Sequence, residues 1–191
     1  GLSMPGATQW HQNLPGVRGR AEDGDRFGAA VVVGDFNGDG LGDLSVGAPG
    51  ERVQDYPLVG AAHVFFGGSA GLQVASPSDR ILSAATLGEA GRSLTGDGFG
   101  TTISAGDLDS DGFDDLVVGV PGLGHRGQVE VGGVMVLFGS HSGLGERNLK
   151  MGIADVGMAA SRSLRFGKSV AVGDIDGDGH DDIAVGIPGL E

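Results

Sequence analysis

Three short stretches place side-chain oxygens at alternating positions: Asp35-Phe36-Asn37-Gly38-Asp39-Gly40-Leu41-Gly42-Asp43, Asp107-Leu108-Asp109-Ser110-Asp111-Gly112-Phe113-Asp114-Asp115 and Asp174-Ile175-Asp176-Gly177-Asp178-Gly179-His180-Asp181-Asp182. In each, loop positions 1, 3, 5 and 9 offer an oxygen. Glycine at position 6 supplies a sharp turn, and the backbone carbonyl of position 7 (Leu41, Phe113 or His180) adds a ligand. Oxygen-only ligation by several carboxylates suits a hard cation of flexible geometry, so Ca²⁺ is expected over Mg²⁺, with up to three ions bound. An EF-hand needs Glu at position 12 between helices, but position 12 is Val46, Val118 and Val185, each inside a β-branched run. Position 9 is the closing carboxylate instead, in a loop short enough to join two antiparallel strands.

A turn chosen for its Asn-Gly and Asp-Gly propensity needs one or two such residues. These loops hold eleven acids at ligand positions, and like charges so close repel unless a cation lies between them. Asn37 carries no charge, so the first loop is expected to bind more weakly than the other two. Asp114 and Asp181, at position 8, fall outside the ligand pattern and are expected to be solvated charge.

The whole composition agrees with a cationic counterpart. There are 25 acidic against 12 basic residues, a formal net charge of -13, which three divalent ions would reduce to about -7. Nucleic acid and anionic membrane surfaces are excluded as main partners, because both would be repelled. With no cysteine, disulfides, thiolate metal sites and cysteine nucleophiles are excluded as well. No run reaches the length of a membrane helix, and the residues from Gly1 onward do not read as a charged leader with an apolar core of signal-peptide type.

The loops are positioned by a repeat. Phe27 to Pro49, Phe99 to Pro121 and Phe166 to Pro188 are three ungapped copies of one 23-residue unit, each opening Phe-Gly and closing Gly-x-Pro, and starting 72 and then 67 residues apart. That interval fits four short strands with turns. Ala61 to Gly67 and Val134 to Gly139 read as third strands, each followed by a turn ending in Gly71-Leu72 or Gly143-Leu144. Gly1-Leu2 repeats that landmark, so Leu2 to Pro15 is expected to be the outer strand of a preceding unit. The expected organisation is an outer strand and loop over 1–26, full four-strand units over 27–98 and 99–165, and two strands of a third over 166–191. Radially repeated four-stranded sheets are β-propeller blades. The fold class is therefore all-β, an incomplete arc of about three antiparallel blades whose end faces expose apolar surface.

Phe27-Gly28 with Gly47-Ala48-Pro49, and the loop between them, resembles the FG-GAP repeat of integrin α-subunit propellers and of many secreted or surface bacterial proteins. The later copies end Gly119-Val120-Pro121 and Gly186-Ile187-Pro188, differing at the middle residue. The resemblance implies a seven-bladed propeller, structural Ca²⁺ in loops joining the first two strands of a blade, and partners on the opposite face. Gly50 to Leu58, Ala84 to Gly98, Gly122 to Val131 and Ala154 to Arg165 would then meet the partner.

Other matches fail on context. Gly67 to Gly71 fits a hydrolase G-x-S-x-G elbow but lies in a hairpin, and Gly122 to Gly127 fits a dinucleotide fingerprint but precedes strand alternation. His11, His63, His125, His141 and His180 lack zinc-like spacing and are assigned to the surface or loops, with the His180 side chain free. Trp10 is assigned to packing. Thus the chain is expected to be a non-enzymatic, calcium-stabilised interaction module, extracellular or at the cell surface. Its partner would be a protein or cell-surface ligand, with no membrane insertion, and self-association or the remainder of a larger propeller could cover its ends. The alternative is the non-catalytic propeller portion of a secreted enzyme such as a phospholipase or other hydrolase.

Overall fold

The computed structural model describes residues 8–53, 58–74, 80–87, 96–124 and 131–190. Ten strands occur among them and form three antiparallel sheets. The first runs β1 (Ala30–Gly34), β2 (Asp43–Ala48), β3 (Ala61–Phe65), β4 (Arg80–Leu82), and the second β5 (Thr102–Gly106), β6 (Asp115–Val120), β7 (Gly133–Leu137), β8 (Asn148–Gly152). The third pairs β9 (Val170–Gly173) with β10 (Asp182–Val185). Strand order follows chain order in both four-stranded sheets. The first strands lie side by side, β1 against β5 and β5 against β9. This is the blade arrangement of a partial β-propeller.

Strand pleating distributes the apolar residues between two cores. Leu116, Val118, Met135 and Leu137 face the first sheet and join Val32, Val64 and Phe99, whereas Val117, Val134 and Val136 face the third and join Phe166, Val172 and Ile183. The second sheet is therefore buried on both faces, which explains why β6 and β7 read as unbroken apolar runs. Each such side chain contributes on the order of 1.5–3 kcal/mol.

The repeated Phe-Gly and Gly-x-Pro have a common cause at the sheet junctions. Phe99 and Phe166 are buried and form parallel bridges with Gly60 and Gly132 of the preceding sheet. Beside them, backbones touch directly. A Cβ on Gly47 would lie 2.1 Å from the Gly100 carbonyl oxygen, and one on Gly119 would lie 2.1 Å from that of Gly167. Only glycine fits such an approach.

The expected outer strand over Leu2 to Pro15 takes another form. Residues 1–7 lie outside the described residues, and 8–15 run as turns laid on the first sheet. Trp10 packs its ring 5.3 Å from Phe65, Phe27 meets His63 and Phe65 edge-on, and the buried Gln12 side chain donates to the Glu51 carboxylate. Burial drives this: Val46, His63 and Phe65 share the face turned away from the second sheet, and the segment removes them from water. Val31 and Val33, on the same face of β1, remain 63% and 65% exposed. His63 is therefore a buried strand residue, not the surface or loop histidine its spacing suggested.

Gly67 to Gly71 forms a turn closed by the Gln73 N–H on the Phe66 carbonyl, and no helix follows it among the described residues. Of the loops assigned to a partner, residues 54–57, 88–95 and 125–130 lie outside the described residues, as does the second half of the Gly122 to Gly127 match. Among the described residues no helix is long and apolar enough to cross a membrane.

Candidate metal centres

Each acidic loop joins the first two strands of its sheet, and the hairpin closes on the same pair every time: Gly34 with Asp43, Gly106 with Asp115, Gly173 with Asp182. Side chains then wind the backbone inward. In every loop the position-1 carboxylate accepts the amides of positions 5 and 6: Asp35 from Asp39 and Gly40, Asp107 from Asp111 and Gly112, Asp174 from Asp178 and Gly179, all at 2.8–3.1 Å. Position 5 accepts the position-7 amide, from Leu41 to Asp39 at 2.8 Å, Phe113 to Asp111 at 3.0 Å and His180 to Asp178 at 2.9 Å. Asn37 and Asp176 at position 3 take the position-5 amide as well.

Position 9 anchors the loop to the sheet. Asp43 accepts the Phe36 and Gly67 amides at 2.9 and 2.8 Å, and Asp115 accepts those of Leu108 and Gly139 at 3.0 and 2.9 Å. Both carboxylates are fully buried. Burial pushes their pKa values up, that of Asp115 to about 6, against the pull of the two amides, and the neighbouring loop acids push in the same direction. A carboxylate crowded by its own kind in this way is stabilised in its charged form by a cation.

The oxygens converge accordingly. Carboxylate oxygens of Asp107, Asp109 and Asp115 lie within 4.8 Å of one another, as do those of Asp174, Asp176 and Asp182. Thus positions 1, 3 and 9 are brought together, whereas Asp111 and Asp178 are outside these trios. In the first loop Asn37 replaces the middle carboxylate, and Asp35, Asp39 and Asp43 form no such trio. Donor chemistry fits a hard divalent cation.

Sequence reasoning missed four contacts around the loops. Arg147 donates from Nη1 to Asp109 Oδ2 at 2.6 Å while lying over the Phe138 ring, so the second loop already faces a fixed positive charge. Asp114 and Asp181 are half-buried and bonded, not solvated. Asp114 Oδ2 accepts the Asp35 amide at 2.7 Å, and Asp181 Oδ2 accepts the Asp107 amide at 3.1 Å, each reaching back to the preceding loop. The His180 ring is likewise not free: its Nδ1 is 2.6 Å from Ser110 Oγ. One signal was available, since position 8 is acidic in the second and third loops but is Gly42 in the first.

The FG-GAP repeat family pattern matches residues 27–65, 99–137 and 166–190, one acidic loop in each. The chain is 34% identical over 171 residues to integrin alpha-PS5 of Drosophila melanogaster, covering 88% of itself and 15% of that protein. With integrin alpha-IIb of Homo sapiens it shares 36% over 185 residues, 94% of this chain and 16% of the relative. With the phosphatidylinositol-glycan-specific phospholipase D of Homo sapiens it shares 32% over 169 residues, 85% of this chain and 19% of the relative. The chain thus spans less than a fifth of these relatives' lengths.

Proposed function

The chain belongs to the FG-GAP repeat family, and on that premise we propose that it is a calcium-binding propeller module for protein–protein or adhesion-type contacts outside the cell. The convergence of carboxylates at loop positions 1, 3 and 9 carries this reading. Asp107, Asp109 and Asp115 would hold one ion, Asp174, Asp176 and Asp182 a second, and Asp35, Asn37 and Asp43 a third. Asp39, Asp111 and Asp178, with the carbonyls of Leu41, Phe113 and His180, would complete the sets. Bound Ca²⁺ supplies positive charge that offsets the clustered acids. The chain's own part is to curl each hairpin and keep the oxygens aimed inward. In this role the ions are structural, and the module performs no catalysis.

Similarity to integrin alpha chains supports a protein or cell-surface ligand, which loops such as Ala154 to Arg165 would meet. The exposed Val31 and Val33 suit cover by further propeller blades or by self-association. Similarity to the phospholipase D supports the second reading, a non-catalytic propeller carried by a secreted hydrolase.

Calorimetric titration tests the first reading: uptake saturates at no more than three Ca²⁺ per chain. The melting temperature rises with calcium, since binding to the native state alone adds about 2.7 kcal/mol at one hundred times the dissociation constant. No uptake, or melting indifferent to chelator, overturns it. Chelator-reversible capture of an extracellular protein by the immobilised chain favours the adhesion reading, and capture of vesicles bearing glycosylphosphatidylinositol favours the second.

A further inference from the structure

The three loops form a directional series. Position 8 of each later loop binds position 1 of the loop before it: Asp114 holds the Asp35 amide at 2.7 Å, and Asp181 holds the Asp107 amide at 3.1 Å. Position 7 meets position 4 in the same way. The Phe113 ring lies against Gly38, where a Cβ would come within 2.5 Å of it, and His180 bonds Ser110. Room for the reaching carboxylate is built in. A Cβ on Gly34 would lie 3.0 Å from Asp114 Oδ2, and one on Gly106 would lie 2.2 Å from Asp181 Oδ2. A Cβ on Gly173, which no later loop among the described residues reaches, would have nothing within 4 Å.

Asp35 is therefore gripped from both sides. Its carboxylate takes the Asp39 and Gly40 amides of its own loop, its N–H is held by Asp114 Oδ2, and its carbonyl accepts the Asp114 amide at 3.0 Å. Backbone orientation at position 1 sets where that carboxylate points. A group that fixes a ligand's orientation changes metal affinity without touching the metal.

We propose that Asp114 and Asp181 are positioning residues that couple each calcium loop to the loop before it, so that seating one sheet on the next organises the earlier ion site. The inference rests on the calcium reading of the loops. Because no position-8 carboxylate among the described residues reaches the third loop, its affinity is independent of Asp114.

The test is a Ca²⁺ titration of the full chain followed by the amide resonances of Gly40, Gly112 and Gly179, one reporter per loop. In Asp114→Ala the Gly40 transition moves to about tenfold higher free Ca²⁺ or more, the usual effect of losing an orienting partner, and Gly179 stays within about twofold. Asp181→Ala moves Gly112 and leaves Gly40 in place. Asp114→Asn keeps an acceptor for the Asp35 amide and recovers most of the loss, which separates orientation from loss of charge. Equal movement of Gly40 and Gly179, or no movement of Gly40 in Asp114→Ala with Gly112 unmoved in Asp181→Ala, overturns the coupling while leaving the calcium reading intact. Reporters that ignore Ca²⁺ in the unaltered chain overturn both.

Discussion

Replacing His63 with Phe should stabilise the protein, and more so in acid. The imidazole is fully buried, stacks on Phe65 at 6.3 Å, meets Phe27 edge-on at 5.2 Å, and has no hydrogen-bond partner at either ring nitrogen among the described residues. Glu51 Oε2 is 4.0 Å away. No ion pair forms at neutral pH, because burial lowers the His63 pKa to about 4 and raises that of Glu51 to about 7. For a histidine whose folded pKa is depressed, the unfolded chain binds the proton first. Stability is therefore full above the unfolded value near 6.5 and falls as the pH drops toward 4. Between about pH 7.5 and 5 that loss amounts to about 2 kcal/mol, since a tenfold difference in proton affinity between the two states is worth about 1.4 kcal/mol. In His63→Phe this loss disappears, along with the roughly 1–3 kcal/mol carried by unsatisfied buried polar groups. The pH difference does not depend on how well the new ring packs, which makes it the diagnostic quantity. Thermal melts at both pH values, at one fixed calcium concentration, should show the variant's advantage growing by about 4–8 °C on acidification, at about 2–4 °C per kcal/mol for a chain of this size. A variant whose melting temperature falls with acid in parallel with the parent refutes the reasoning.

Gly119→Ala should cost about 3 kcal/mol, at the upper end for overpacking, because its Cβ would strike the Gly167 carbonyl at 2.1 Å. Gly173→Ala, with open space around it, should change stability by less than about 0.5 kcal/mol; urea unfolding of the two variants, if equally destabilised, discredits the backbone-contact account of the motif. Asn37→Asp should tighten the first loop's calcium affinity by adding a charge, and Arg147→Ala should tighten the second by removing the cation bonded to Asp109. Each change is about fivefold, from about 1 kcal/mol for one charge at contact in water. Site-resolved titrations that leave both affinities unmoved count against the electrostatic ordering of the loops.

The acidic loops were legible because their chemistry is local: nine residues contain the oxygens, the turn glycine and the closing carboxylate. The blades were legible because the same spacing recurs and the apolar runs between loops fit strands. Asp114 was misread because its partner, Asp35, lies 79 residues earlier, and nothing in a single loop indicates which neighbour it faces. His63 was misread for a related reason. Its strand is apolar on both faces, so alternation does not show which face will be covered, and the cover comes from Phe27 and from Trp10, the latter in a segment whose sequence resembles an outer strand. Gln12 and Glu51 show the same limit, since a buried pair 39 residues apart leaves no periodic trace.

Burial of the second sheet on both sides makes the molecule mechanically uneven. Loosening β6 or β7 disrupts two cores at once, whereas β9 and β10 can detach at the cost of one. In a stacked array, where each unit gains stability mainly from its neighbours, opening then begins at the unit with a single interface. Amide hydrogens of Val170–Gly173 and Asp182–Val185 should exchange ahead of those in Asp115–Val120, and any ion held in the third loop doubles as a clamp on the part of the chain that opens first.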